Sequence, residues 1–191
     1  KLFCNGKEVC SGPARGDLKH WRFETIDLSP YLKKGNNYLA AVVWNHGTLT
    51  AIFQFSVQIG LIVQGNSKIE EIVNTGKSWK SFRNKAYKGI PLNKKEIPSF
   101  CVVGPGDFVN GNDYPWGWEK LDFDDSSWKE PLLIGAGAPR GTIHRRSVWM
   151  LVPRNIPFLE KIEERMKKIV RQEGVKIPKD FIRGNKPFKV P

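Results

Sequence analysis

The residues best suited to chemistry lie in one short stretch, Asn112-Asp113-Tyr114-Pro115-Trp116-Gly117-Trp118. An aromatic face, negative by its quadrupole, stacks on the C–H face of a pyranose. Amides and carboxylates beside it exchange hydrogen bonds with hydroxyls. Trp116 and Trp118 are therefore candidate sugar platforms, with Asn112, Asp113 and Tyr114 as their carbohydrate-binding neighbours. On a strand, their i, i+2 spacing would put both indoles on one face. That face suits a sugar, and it equally suits a core or a buried interface with another domain.

The other constellations carry less. Asp122, Asp124 and Asp125 are the densest carboxylates. A glycosidase holds two carboxyls about 5 Å or about 6.5–9.5 Å apart across the scissile bond, and carboxylates crowded into one turn cannot straddle a sugar. Calcium takes about six to eight oxygens, and no EF-hand spacing is present. Asp124 is better suited to capping the turn that contains Ser126, with Trp128 as its anchor. His20, His46 and His144 are far apart and without HExxH or CxxC companions, so neither a metal nor another cofactor is expected. No GxSxG motif supports a serine hydrolase. Gly135 to Gly141 lacks phosphate-loop spacing and reads as a plain loop. No catalytic residue is assigned.

The elements that must position these residues read as β. Asn5-Gly6, between two short β runs, predicts a type I′ hairpin with Cys4 facing Lys7 and Leu2 facing Val9. Cys10 would then face Lys1, too far from Cys4 for a disulfide. Ser11 to Arg22 reads as a loop, followed by a strand near Phe23. Ser29-Pro30 predicts a capped single helical turn, stopped at Gly35. Tyr38 to Asn45 is apolar at both parities and predicts a buried strand. Further strands are predicted at Ala51 to Val63, Ile69 to Val73, Ser78 to Phe82, Leu132 to Ile134 and Ser147 to Val152, with Gly89 to Tyr114 as loop. Leu159, Ile162, Met166, Ile169 and Val170 recur at helical spacing, which predicts an amphipathic helix ending near Gly174; an extended, Pro-rich connector follows. The domain reading is a β-sandwich over residues 1–152 and a linker with its helix over 153–191.

Composition bounds the function. The chain has 191 residues, with 40% hydrophobic and 12% aromatic content, and so is globular. Its net charge of +12 suits either a solvated basic surface or attraction to polyanions. Lysines are scattered and no RNA-binding signature is present, so nucleic acid is not the expected partner. Three cysteines, read as free, do not describe a disulfide scaffold. No apolar run reaches the roughly 18 residues of a membrane span. The chain opens inside a strand and without Met, which reads as a fragment of a longer protein.

Four stretches, LFCNGKEV, FETIDLSPYLKKGNNYLAAVVWNHG, FDDSSWKEPLLIG and WMLVPRNIPFLE, together resemble the N-terminal β-sandwich region of α-L-rhamnosidases of glycoside hydrolase family 78, of the Bacteroides type. The first three recur in galactose-binding-like sandwiches of several glycosidase families; the fourth, after the third, points to the rhamnosidase group. The resemblance implies an all-β, galactose-binding-like or jelly-roll sandwich, a periplasmic or secreted parent, and an (α/α)6 barrel partner that hydrolyses terminal α-L-rhamnose by inversion. It implies a non-catalytic accessory role, scaffolding or weak binding of rhamnose-containing glycans. The alternative from charge alone is a basic binding module for anionic polysaccharide or nucleic acid. A complete small hydrolase lacks any placed acid/base pair.

Overall fold

The computed structural model describes residues 1–49, 56–91, 93, 95, 105–141, 148–162, 164, 170, 171, 173 and 174. They form eight short strands: β1 (Leu2–Cys4), β2 (Lys7–Cys10), β3 (Trp21–Phe23), β4 (Leu39–Ala41), β5 (Tyr87–Ile90), β6 (Gly106–Val109), β7 (Gly137–Pro139) and β8 (Trp149–Pro153). Three-residue and four-residue 3-10 turns complete the regular structure, and no long helix is present among the described residues. The chain divides into a unit over Lys1–Asn155 and a smaller one over Ile156–Pro191.

The first sheet runs β2-β1-β4, antiparallel throughout. Its hairpin forms as the sequence dictates: Asn5 and Gly6 have φ of 51° and 80°, the paired positive values of a type I′ turn. Cys4 faces Lys7 as expected, but Leu2 faces Cys10 and not Val9, because a bulge between Leu2 and Phe3 shifts the register. Cys4 and Cys10 are both free thiols; Cys101 lies outside the described residues.

Asn5 does more than turn the hairpin. Its Nδ2 donates to the Tyr31 carbonyl at 2.9 Å and to Asn37 Oδ1 at 2.8 Å, and its Oδ1 accepts from the Tyr38 N–H at 2.9 Å. Asn37 in turn closes the Lys33–Gly35 turn, where Gly35 has a φ of 90°. One side chain thus joins β1 to the 3-10 turn at Ser29–Tyr31 and to the lead into β4. Asn5→Ala is expected to cost about 1–3 kcal/mol, since three polar groups lose a partner; urea unfolding of the variant measures it. Asn5→Gly, which keeps the turn geometry, should cost nearly as much if the bonds dominate.

The 3-10 turn is capped by Asp27, whose Oδ1 accepts from the Ser29 N–H at 2.9 Å and from its hydroxyl at 2.6 Å, and not by Ser29 itself. β4 is shorter than Tyr38 to Asn45 because pairing extends only along β1: Val42 donates to the Lys1 carbonyl at 2.9 Å, and beyond it Val43 and Trp44 are exposed.

The second sheet runs β3-β8-β7, with both outer strands parallel to β8. β8 covers Trp149 to Val152 of the strand expected at Ser147 to Val152 and runs on to Pro153; Ser147 lies outside the described residues. β7 falls inside the Gly135–Gly141 stretch expected to be loop. Gly137 allows this: a Cβ there would meet Leu151 Cδ1 of β8 at 2.7 Å. The third sheet is the antiparallel β5-β6 pair; β6 and the second half of β5 fall in the stretch read as loop from Gly89 to Tyr114.

Other expected strands are absent where described. Glu70–Val73 is a 3-10 turn. Ser78 to Phe82 contributes one isolated bridge, Ser81 to Lys129. Leu132 and Leu133 are 82% and 88% exposed and unpaired as strand, so their apolar run signals an uncovered surface rather than a core. Residues 56–63 carry no strand, and residues 51–55 of that expectation lie outside the described residues. From Ile156 to Ile162 the chain is not helical. Leu159 and Ile162 are 81% and 72% exposed, and an amphipathic helix draws most of its stability from packing that face. Val170 is likewise non-helical and 87% exposed, while Met166, Ile169 and the connector after Gly174 lie outside the described residues.

Candidate functional site

The β5-β6 hairpin positions the site. In its register Tyr87 faces Val109 and Gly89 faces Asp107, so these four share one face of the ribbon. Tyr87 and Asp107 are diagonal neighbours, and the phenol hydrogen-bonds the carboxylate. Gly89 leaves space above the ribbon: a Cβ there would come 3.2 Å from Leu49 Cδ1 and 3.5 Å from His46 Nδ1. Trp44 and His46 pack above, with ring centroids 4.1 Å apart, and Trp44 meets Tyr87 edge-on at 5.7 Å and 85°. His46 Nδ1 is buried and has no hydrogen-bond partner among the described residues.

β6 leads directly into the Asn110–Trp118 segment. The Asn110 N–H donates to the Ala86 carbonyl at 2.8 Å, closing the ladder just beyond Tyr87. The next residues form turns. Asn110 Oδ1 accepts from the Asn112 N–H at 3.2 Å, and its Nδ2 donates to Asp113 Oδ2 at 2.6 Å.

Here the structure separates the two tryptophans. There is no strand at this position; Gly117 adopts a φ of +84°, in the left-handed region, and the chain reverses between Trp116 and Trp118. Trp118 is only 9% exposed, packs edge-on against Phe3 of β1 at 5.2 Å and 83°, and donates its Nε1–H to the Tyr114 hydroxyl at 3.3 Å. It is a core residue and an anchor. Trp116 is 70% exposed, with its Nε1–H donated to the Gly111 carbonyl at 2.8 Å and its ring 4.6 Å from Tyr114. The expectation of two indoles on one face is corrected: one holds the segment to the first sheet, the other stands in solvent. Asn112, Asp113 and Tyr114 stay within the same turn as Trp116, and Asp113 is partly engaged by Asn110.

Burial first, then the hydrogen bond and charge of Asp107, with the Tyr114 phenol adding to them, pushes Tyr87 up to about 12. An unfolded phenol ionises near 10. Between these values the unfolded chain binds fewer protons, so the contribution of Tyr87 to stability is complete below pH ~10 and is lost as pH rises through about 12. Tyrosinate absorbance during an alkaline titration should show a latest transition that is absent in Tyr87→Phe and shifted to lower pH in Asp107→Asn, beside that of Tyr38, which burial also raises.

The Asp122–Asp125 turn is structural. Asp124 Oδ1 accepts from the Ser126 N–H at 3.0 Å, which holds its carboxyl below the usual range. Trp128 stacks on Phe82 at 5.4 Å and meets Phe123 at 5.6 Å, the anchoring expected of it. Among the described residues no set of three His, Cys, Asp or Glu side chains is grouped to hold a metal, and no helix is long and apolar enough to cross a membrane.

Sequence reading found Trp116 and its neighbours but missed Trp44, His46, Tyr87 and Asp107 as a group. The signal available was the β character of Tyr87 to Ile90 and of Phe108-Val109 around a proline-rich segment. Comparison with known protein families, characterised proteins and solved structures finds no match to this chain.

Proposed function

We propose that this chain is a non-catalytic accessory β-sandwich region, galactose-binding-like or jelly-roll in class, of an α-L-rhamnosidase-like glycoside hydrolase, and that it binds rhamnose-containing glycans weakly at Trp116. The observation that carries the reading is the state of Trp116. Its ring is 70% exposed, yet its N–H is tied to Gly111 and its flank rests on Tyr114. A fixed, solvent-facing aromatic loses little freedom when a sugar stacks on it. Asn112 and Asp113 in the same turn supply polar atoms for hydroxyls.

A scaffolding role against a partner domain, an (α/α)6 barrel in the parent, is supported by apolar surface. Ile69, Ile72, Leu132 and Leu133 are each more than four-fifths exposed, at 89%, 85%, 82% and 88%. Adjacent exposed apolar side chains such as Leu132-Leu133 offer surface that another domain could cover.

Affinity electrophoresis through gels containing a neutral rhamnose-rich polysaccharide tests the reading. Retardation that persists as salt is raised supports stacking on a neutral sugar. Retardation only by anionic polymers, falling steeply with salt, would replace this reading with the basic-module alternative that the net charge of +12 allows.

A further inference from the structure

We infer that the carbohydrate site continues past Trp116 onto a second aromatic subsite at Trp44, so that its ligand is an oligosaccharide rather than a single terminal sugar. The inference rests on reading Trp116 as a sugar platform. Two features make Trp44 its counterpart. Trp44 is 55% exposed. It is also backed, as Trp116 is: His46 lies against it at 4.1 Å and Tyr87 meets its ring edge-on at 5.7 Å. Both indoles are therefore exposed and held by a ring partner, the arrangement that spends least conformational entropy on binding.

The path between them is built of rings and polar groups. Tyr87 supports Trp44 and faces Val109, and the Asn110 N–H beside it donates to the Ala86 carbonyl, so the segment that carries Tyr114 and Trp116 starts next to Tyr87. Tyr114 supports Trp116. The Tyr87–Asp107 hydrogen bond lies along this path and supplies a carboxylate. Both ends of the path meet the same ribbon, since the segment carrying Trp116 starts at the end of β6 and His46 packs over Gly89 of β5. Gly89 suits this packing: a Cβ there would press on Leu49 Cδ1 at 3.2 Å and touch His46 Nδ1 at 3.5 Å. A ligand that stacks at both ends must span more than one ring, which is the chemistry of a linear oligosaccharide.

The test is a calorimetric titration with L-rhamnose and with α-linked rhamno-oligosaccharides of increasing length, using the wild-type chain and the single variants Trp44→Ala and Trp116→Ala. Circular dichroism establishes that each variant is folded. The wild type should gain about tenfold in affinity from monosaccharide to the longest oligosaccharide, the worth of one added stacking contact. Trp44→Ala should lose that gain while keeping monosaccharide binding, and Trp116→Ala should lose both. Equal affinity of the wild type for all lengths, or a length gain that survives in Trp44→Ala, overturns the second subsite and leaves Trp116 as the platform. Absence of binding by the folded wild type overturns the carbohydrate reading itself. If Trp44→Ala fails to fold, Trp44→Phe, which keeps a smaller stacking face, should retain part of the length gain; a gain as large as that of the wild type overturns the proposal.

Discussion

Replacing Trp118 by alanine is expected to cost about 3–5 kcal/mol of stability, the range for removing a buried aromatic. Apart from Trp118, the buried apolar residues described are Cys4, Ala40, Ala86 and Ala138, all small. Trp118 is thus the large side chain on which the described core depends. It also joins two parts of the fold: its ring meets Phe3 of β1, and its N–H holds the Tyr114 hydroxyl beneath the exposed platform. Folded domains are stable by about 5–15 kcal/mol, so Trp118→Ala removes a large part of the total. Trp116→Ala, at a residue 70% exposed, should cost less than about 1 kcal/mol. Denaturant unfolding of the two variants measures the contrast. Equal stability losses would contradict the assignment of one indole to the core and the other to solvent.

Glu24→Ala is expected to destabilise the chain by a similar amount, about 3–5 kcal/mol, because it takes a carboxylate partner away from a buried cation. Glu24 and Arg154 form an ion pair whose side chains are 5% and 11% exposed. The other Glu24 oxygen accepts from the Cys10 thiol at 2.8 Å, and Arg154 donates its backbone N–H to the Phe23 carbonyl at 2.9 Å. The carboxylate therefore ties β2 of the first sheet to the chain after β3 and after β8. Glu24→Gln keeps the shape and a hydrogen-bond acceptor and should cost less. The same contact governs the thiol: burial, then the hydrogen bond to Glu24, pushes Cys10 up from its ordinary value. Cys10 should alkylate slowly at neutral pH, and faster in Glu24→Gln, as mass spectrometry of the labelled peptide would show.

What the sequence made legible was local. Asn5-Gly6 specified its turn because few residues accept positive φ in succession. Asp124 and Trp128 specified theirs through one cap and one ring. Pro30 marked the 3-10 turn at Ser29–Tyr31, although Asp27 and not Ser29 supplies the cap. The longer-range features were not legible. Apolar runs at Val42–Trp44 and Leu132-Leu133 read as buried strands, yet these residues are exposed. Apolar character reports what a segment could bury, not what covers it. The β5-β6 hairpin was hidden because its strands are four residues each and lie among prolines. At the site, Trp116 was found from its type and neighbours, while the divergence of Trp116 from Trp118 depended on one φ angle at Gly117. Tyr87, Asp107, Trp44 and His46 come together only through hairpin register and the gap at Gly89, neither of which a linear reading supplies.

The most direct measurement is the binding of a rhamnose-containing oligosaccharide to the wild-type chain and to Trp116→Ala by calorimetry, with unfolding curves on both. The account predicts binding by the wild type, an affinity reduced at least about tenfold in the variant, and nearly unchanged stability. Binding of equal strength by both proteins would contradict it, because the exposed indole would then have no part in holding the sugar.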